Sequence, residues 1–552
     1  MADCLRIAFA QMNQRVGDLE ANAAAILEVR RRARGSDLLL CPELQLIGYP
    51  PEDLVLRPEF VRRAHECTDE LVAATTEPGP AILLGTIVAE GNSTYNAMLL
   101  VNGGRVLGRT LKRELPNYGT FDEKRIFTPG PMPEPIEFKG VKLGVPICED
   151  IWEEIVCAHL AQSGADLLLV PNGSPYELDK DETRYRLVRS RALETALPIA
   201  YLNRVGGQDE LVFDGSSFIV HPDGERVVQM PDWDEALLIT DWKRTNEGWR
   251  CMTSEAHALD AFPEDVYRAM MMGLHDYVRS NGFSGVILGL SGGIDSALSA
   301  AIAVDALGPD KVWGVMLPSR YTSKESLEDA SECARLLGCR HDAISIAPAL
   351  AGVDEMLPGM TGLAAENVQA RLRMVALMAL SNSGRQMLLT TGNKSEMSVG
   401  YATLYGDMAG GYSVLKDAYK TTVFALSRWR NANRPRSGLG PDGPVMPERV
   451  ITKPPTAELR PGQKDEDSLP PYSVLDRILE GLVEREMSVN EVAAVTGEDI
   501  GLVSDIETKL LRAEYKRRQA PPGVKIGVRN FGRDRRYPIS NFFHTGPKAK
   551  LS

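Results

Sequence analysis

At 552 residues and a formal net charge of −13, the chain is too long for one hydrophobic core and too acidic for an extended nucleic-acid-binding surface. Its 43% hydrophobic and 25% charged residues describe a globular protein, and no run of about 18 apolar residues suggests a membrane span. Eight scattered cysteines without a C-x-x-C pair, and seven histidines without an H-E-x-x-H cluster, argue against a disulfide framework and against a zinc site.

The opening MADCLRIAFAQ lacks a basic segment followed by a long apolar one and reads as a first strand, so a cytoplasmic location is expected. Short apolar runs then alternate with helical stretches: ANAAAILEVRRRAR, DLLLCPEL, AILLGTIV, NAMLLVNGGRVLGRT, VKLGVPIC, ADLLLVPNG and PIAYLNR. Continuous apolar strands followed by amphipathic helices predict a sheet covered by helices, and NGG predicts a hairpin turn. The pattern lapses into polar, irregular sequence near residues 243–262, which sets the expected boundary between domains of residues 1–260 and 261–552. Beyond it come the helix PEDVYRAMMMGLHDYVRSNG, the strand GVILGL, the loop SGGIDS and the helix ALSAAIAVDAL. KVWGVMLP, SKESLEDASECARLLG and HDAISI continue that alternation. It predicts a doubly wound parallel sheet. Residues 431–471 hold nine prolines without periodicity and read as a functional lid, a linker or a plain surface loop.

The strand-loop-helix GVILGLSGGIDSALSAA turns backbone N–H groups and a helix N-terminus towards one point, which suits a phosphate. It matches neither the G-x-x-x-x-G-K-[ST] loop nor the dinucleotide fingerprint. SGGIDS instead resembles the pyrophosphate loop of the ATP pyrophosphatases, which adenylate a substrate oxygen. That resemblance assigns Gly289, Leu290, Ser291, Gly292, Gly293, Ile294, Asp295 and Ser296 to ATP, with Asp295 also suited to Mg2+. Within that group the downstream residues resemble the NAD synthetases. Thr391 and Lys420 match ATP positions, Glu396 a position for Mg2+ or the dinucleotide, and Asn367 and Lys516 positions for deamido-NAD+. Leu404 and Gly411 stand where short ammonia-using relatives have a basic and an acidic residue.

Alone, Cys148 in VKLGVPICEDIW reads as apolar core filler rather than as a nucleophile. A helix start directly after it would favour a thiolate. Glu43, Lys112 and Cys148, each near a strand end and in that order, resemble the nitrilase (carbon–nitrogen hydrolase) superfamily, whose site is a Glu, Lys, Cys set on an α-β-β-α sandwich. The resemblance implies Glu43 as general base, Lys112 as stabiliser of the tetrahedral intermediate and Cys148 as nucleophile. Tyr118, Ser174 and Lys180 match glutamine-binding positions, and Glu123 a residue supporting the lysine.

The whole chain is similar to the glutamine-using NAD synthetases, a nitrilase-like glutaminase fused to a synthetase. The expected substrates are therefore glutamine, ATP and deamido-NAD+, with Mg2+ as cofactor, no nucleic acid or membrane partner, and a homo-oligomeric assembly. Because ammonia is protonated in bulk water, an internal route to the second site is expected. Two readings compete. Another glutamine-using ATP pyrophosphatase is one, although Ala2 stands where asparagine synthetases use a cysteine, and Cys333 and Cys339 are too far apart for C-x-x-C. An amidohydrolase with a nucleotide-sensing module is the other; it would release ammonia without ATP and form no pyrophosphate.

Overall fold

Strand alternation builds the first half. The computed structural model describes residues 3–546, which divide into two compact units, Met1–Asp260 and Ala261–Ser552. The first unit contributes β1 (Cys4–Gln11), β2 (Leu38–Leu40), β3 (Ala81–Glu90), β4 (Ser93–Asn102), β5 (Arg105–Leu111), β6 (Ile136–Phe138), β7 (Val141–Gly144) and β8 (Leu167–Asn172). It continues with β9 (Ile199–Asn203), β10 (Val205–Gln208), β11 (Leu211–Asp214), β12 (Phe218–Val220), β13 (Arg226–Gln229), β14 (Ala236–Thr245), β15 (Gly248–Cys251) and β16 (Glu255–Ala256).

Two seven-stranded sheets result, ordered β15-β14-β1-β2-β3-β4-β5 and β16-β13-β12-β9-β8-β7-β6. Side chains of period two decide the layering. Ile7, Phe9, Leu38, Leu40, Leu167 and Leu169 fill one core shared by both sheets. Their alternates on the first sheet, Ala8, Ala10 and Leu39, pack with helices α1 (Leu19–Arg32) and α2 (Pro58–Ala74). On the second sheet Leu168 and Val170 pack with α3 (Glu154–Gln162) and α4 (Lys180–Thr195). The unit is an α-β-β-α sandwich, as the nitrilase resemblance implies. The predicted NGG hairpin joins β4 and β5, with Gly103 and Gly104 at φ of 56° and 74°. The stretch near 243–262 is more ordered than its polar sequence suggests. It completes β14 and forms β15 and β16, with Trp242 and Trp249 buried in the inter-sheet core.

The second unit is a five-stranded, wholly parallel sheet. Its strands are β17 (Val286–Gly289), β18 (Val312–Met316), β19 (Arg340–Ala343), β20 (Met387–Thr390) and β21 (Tyr412–Ser413), in the order β19-β18-β17-β20-β21. The chain winds outward from β17 to β19 and returns to β20 on the other side, so the switch point lies between the carboxyl ends of β17 and β20. Open α/β sheets bind ligands there. Helices α5 (Glu264–Ser280), α6 (Ile294–Leu307), α7 (Lys324–Leu337), α8 (Ala347–Met356) and α9 (Gly362–Gly384) flank the sheet. A satellite helical cluster containing Leu475, Ile478, Val503 and Ile506 packs around α10 (Lys394–Val399), whose Met397 joins it.

Candidate active sites

Four strand ends build the first site. β2, β3 and β5 run in one direction, as do β7 and β8 in the facing sheet, so Glu43, Lys112, Cys148 and Gly173 each follow a carboxyl end. Glu43 and Lys112 are fully buried. Lys112 Nζ donates to Glu43 Oε1 at 2.7 Å and to both Glu123 oxygens at 3.0 and 2.9 Å. Asn96 Nδ2 donates to Glu43 Oε1 at 2.7 Å and the Gly173 amide to Glu43 Oε2 at 2.9 Å. A Cβ on Gly173 would lie 2.9 Å from the Tyr49 ring and 3.2 Å from Glu43 Oε2, so glycine lets the backbone reach the carboxylate. Tyr49 OH completes the cluster, donating to Glu123 Oε1 at 2.9 Å.

Burial opposes the Lys112 charge, but Glu123 and Glu43 outweigh it and hold the ammonium well above its usual range. Burial raises the Glu123 carboxyl to about 7 while Lys112 pulls it down. Cys148 sits at a positive φ of 47° and opens a short 3-10 turn over Cys148–Ile151, a sharp strand-to-helix elbow. The sequence reading expected that helix start to favour a thiolate. Instead burial, then the Glu43 charge, push the thiol well above its ordinary value, with Lys112 only partly offsetting them. A turn of this length carries little helix dipole, so desolvation wins. Burial thus favours the neutral thiol at Cys148.

Asp150, absent from the sequence-based set, fastens this elbow. Its Oδ2 accepts from Ile147 N at 2.9 Å, and its Oδ1 from Arg113 N at 3.0 Å and Glu114 N at 2.7 Å. One carboxylate thus ties the segment bearing Cys148 to the segment bearing Lys112. Tyr118 is 55% exposed, and its hydroxyl donates to Glu149 at 3.1 and 3.0 Å, beside the nucleophile. Ser174 N donates to Asn203 Oδ1 at 3.0 Å, and Ser174 Oγ accepts from the buried Arg184 at 3.1 Å. Arg184 also grips Asp214 at 2.8 and 2.7 Å, which fixes the loop after β8. Lys180 Nζ lies 3.4 Å from Glu177 at the start of α4.

The second site is a cavity at the switch point of the parallel sheet. Gly289, Leu290, Ser291, Gly293, Ile294, Asp295 and Ser296 line it from β17, Thr391 and Glu396 from β20 and α10, and Lys420 from the helix α11 (Lys420–Ala432). Ser291 N donates to Ser296 Oγ at 3.1 Å, and Gly293 N to Ser291 Oγ at 3.2 Å. Gly292 has a φ of 79°, and a Cβ there would meet Ser326 O at 2.3 Å, so the loop requires glycine. Lys420 Nζ pairs with Asp295 Oδ2 and reaches Glu396 Oε1 at 3.3 Å. Asn393 Nδ2 donates to Asp295 Oδ1 at 2.9 Å, while Asn393 Oδ1 caps α10 by accepting from Glu396 N at 3.0 Å.

Asp465, from the Pro-rich segment, joins them. Its Oδ2 accepts from Tyr472 OH at 2.9 Å, and its Oδ1 is buried without a hydrogen-bond partner. Burial raises the Glu396 carboxyl to about 8; Lys420 lowers it, and Asp295 and Asp465 add repulsion. Two carboxylates sharing one lysine, with Asp465 close enough to add its charge and its Oδ1 unpartnered, fit a hard divalent cation. Neither Asn367 nor Lys516 lines the cavity among the described residues. Asn367 Oδ1 accepts from Thr403 Oγ1 at 3.0 Å, and Lys516 Nζ donates to Gly400 O and Ala402 O at 2.7 Å each, so both brace the loop from 400 to 408. Ala402, Gly406 and Asp407 of that loop line the cavity.

Residues 431–471 form an ordered strap and not a loose linker. Glu458 Oε1 accepts from Ser323 Oγ and Ser326 Oγ at 2.8 Å each, Gln369 Nε2 donates to Leu459 O at 3.0 Å, and Lys453 Nζ lies 2.9 Å from Asp329. Pro454, Pro455 and Thr456 line the cavity wall.

These two sites define a fused protein, a carbon–nitrogen hydrolase unit joined to an NAD synthase unit; the carbon-nitrogen hydrolase family model matches residues 6–249 and the NAD synthase family model residues 266–520. A glutamine-dependent NAD(+) synthetase from Rhodobacter capsulatus is 48% identical over 98% of this chain and 99% of its own length. One from Thermotoga maritima is 42% identical over 98% and 99%. The solved structure of glutamine-dependent NAD+ synthetase from Acinetobacter baumannii, in complex with ADP, is 41% identical, covers 97% of this chain and 98% of that one, and superposes with a TM-score of 0.76. The chain belongs to the glutamine-dependent NAD(+) synthetase family.

Proposed function

We propose that Glu43, Lys112 and Cys148 hydrolyse the side-chain amide of glutamine, and that the cavity after β17 and β20 uses the ammonia to amidate deamido-NAD+. The observation that carries the first half is the buried Glu43–Lys112–Glu123 cluster together with a buried Cys148 at positive φ in a sharp elbow. Glu43 takes the Cys148 proton as sulfur attacks the amide carbon. Lys112, kept charged by its two carboxylates, stabilises the developing oxyanion. The proton held on Glu43 goes to the leaving nitrogen, ammonia departs, and a γ-glutamyl thioester remains. Glu43 then deprotonates a water that attacks the thioester and frees glutamate with the thiol. Tyr118, Ser174 and Lys180 bind the glutamine, and Glu123 supports Lys112.

In the second unit the loop from Gly289 to Ser296, with Gly292 at its tightest point, cradles the ATP phosphates through backbone amides and the α6 N-terminus. Thr391 and Lys420 complete the ATP contacts, Lys420 meeting phosphate charge directly. Asp295 and Glu396, with Asp465 beside them, would hold Mg2+, which would supply positive charge to offset the phosphates. Glu396 also faces the dinucleotide, which Asn367 and Lys516 position through the loop they brace. The nicotinate carboxylate attacks the α phosphorus, pyrophosphate leaves, and ammonia then displaces AMP from the acyl carbon to give NAD+.

Eight free thiols support a reducing, cytoplasmic location. Exposed Met356, Leu357, Leu363 and Val375 along α8 and α9 support a homo-oligomer. The test follows pyrophosphate and NAD+ from ATP and deamido-NAD+, with glutamine or ammonium as nitrogen donor. Cys148→Ala should abolish only the glutamine reaction; loss of both overturns the two-site reading.

A further inference from the structure

The turn between β12 and β13, His221-Pro222-Asp223-Gly224-Glu225, takes part in neither site. Its backbone is closed by His221 N donating to Glu225 O at 2.8 Å and Gly224 N to His221 O at 2.9 Å. Glu225 N donates to Asp223 Oδ1 at 3.0 Å. Residues 221, 223 and 225 therefore project from a turn already set by hydrogen bonds. A ring nitrogen of His221 and carboxylate oxygens of Asp223 and Glu225 lie within 4.8 Å of one another.

The histidine makes this more than a pair of surface acids. It is only 7% exposed, and its Nε2 lies 3.1 Å from the Cys251 carbonyl oxygen. A carbonyl can only accept, so Nε2 carries the proton and Nδ1 keeps its lone pair. Nδ1 is buried and has no hydrogen-bond partner. A fixed tautomer, with one ring nitrogen anchored to a carbonyl and the other bare, is the arrangement metal-binding histidines adopt. Arg250 pairs with Asp223 and stands where a second positive charge would compete.

We propose that His221, Asp223 and Glu225 form a binding site for a divalent transition ion of the zinc type, distinct from both catalytic centres. An imidazole nitrogen beside two carboxylates suits such an ion better than Mg2+ or Ca2+, which take oxygen ligands. Binding draws Asp223 away from Arg250 and braces the β12–β13 turn against β15 through Cys251.

The full chain, stripped with chelator and held in excess Mg2+, is titrated with Co2+, read by visible absorption, and with Zn2+, read by calorimetry. One equivalent should bind, with affinity reduced about tenfold or more in His221→Gln and in Glu225→Gln. Glu225 is exposed, so its variant folds even if the histidine variant does not. Arg250→Gln should tighten binding, because Asp223 loses its competing partner. Rates with glutamine and ammonium should be unchanged in Glu225→Gln. No uptake by the unaltered chain, uptake unaltered by Glu225→Gln, or displacement of Co2+ by Mg2+ would each overturn the proposal.

Discussion

The two reaction sites balance their charge in opposite ways. Around Cys148 a single ammonium sits between two carboxylates, every group is buried, and each carboxylate has further donors in Asn96, Gly173 and Tyr49. Around Lys420 the same ammonium-to-carboxylate theme is left incomplete, with Asp295 and Glu396 sharing one lysine and the nearby Asp465 Oδ1 bare. On the proposed reading the first site acts on a neutral amide with its own side chains, which fits electrostatics closed in advance. On the same reading the second receives a polyanion, and its surplus of carboxylates fits a cation arriving with it. Desolvation raises the resting proton affinity at both, on Cys148 and on Glu396.

Breaking each site separately gives the largest effects. Cys148→Ala should lower glutamine-driven NAD+ formation by roughly 10^4-fold or more, as loss of a covalent nucleophile does, with the ammonium-driven rate within about twofold of the parent. Asp295→Ala should lower both rates by roughly 10^3-fold, because charge stabilisation at the phosphates is common to both donors. Pyrophosphate release resolves the two cases. A variant that spares pyrophosphate formation while losing NAD+ would place Asp295 outside the adenylation step.

The closed site was more legible in the sequence than the open one. Glu43, Lys112 and Cys148 each follow a short apolar strand, but it was the resemblance of that ordered set to the nitrilase superfamily that singled them out, and the structure brings Glu43 and Lys112 into one ion pair. SGGIDS was legible as a phosphate-sized turn between β17 and α6. Asp150 was hidden because its role is to accept three backbone amides, a pattern that no side-chain motif encodes. Asp465 lies in a proline-rich stretch whose fold depends on contacts from Ser323, Ser326 and Gln369, all distant in sequence. Burial has no local signature either, which is why Cys148 read as a thiolate candidate although its buried surroundings push the thiol pKa up. Polar composition hid β15 and β16, whose tryptophan and backbone pairings belong to the sheet and not to the segment.

Two smaller effects sharpen the contrast at the closed site. A thiol raised well above its ordinary value is neutral at pH 7, so only a small thiolate fraction reacts with an alkylating reagent. That fraction rises tenfold per pH unit below the raised value. Alkylation of Cys148 by iodoacetamide, followed by mass spectrometry without glutamine, should therefore climb about 100-fold from pH 7 to pH 9. A plateau already reached at pH 7 would mean that Lys112 prevails over burial and that Glu43 is not needed to activate sulfur. Asp150→Asn leaves one oxygen for three amide donors and turns an NH2 group towards at least one of them. A mispaired buried donor costs about 1–3 kcal/mol, so kcat for glutamine hydrolysis should fall about 10- to 100-fold. KM for glutamine and the ammonium-driven rate should hold, which a general loss of folding would not allow.

The smallest effect tests whether the strap contributes binding to the open site. Glu458 sits at the N-terminus of α7 from outside its own segment, accepting from the hydroxyls of the N-cap Ser323 and of Ser326. A carboxylate at a helix N-terminus contributes about 0.3–1 kcal/mol through the dipole, and Gln keeps the size and one acceptor while removing the charge. Glu458→Gln should therefore loosen the strap without unfolding the unit, raising KM for ATP or deamido-NAD+ by about two- to fivefold at constant kcat. Glutaminase activity, which depends on a site in the other unit, should not change. The same loosening should appear as faster proteolysis at 453–465 in the free protein, with protection restored by ATP and deamido-NAD+. If the cleavage rate is indifferent to those substrates in both the parent and the variant, the strap is a fixed wall of the cavity and not a lid that the substrates help to close.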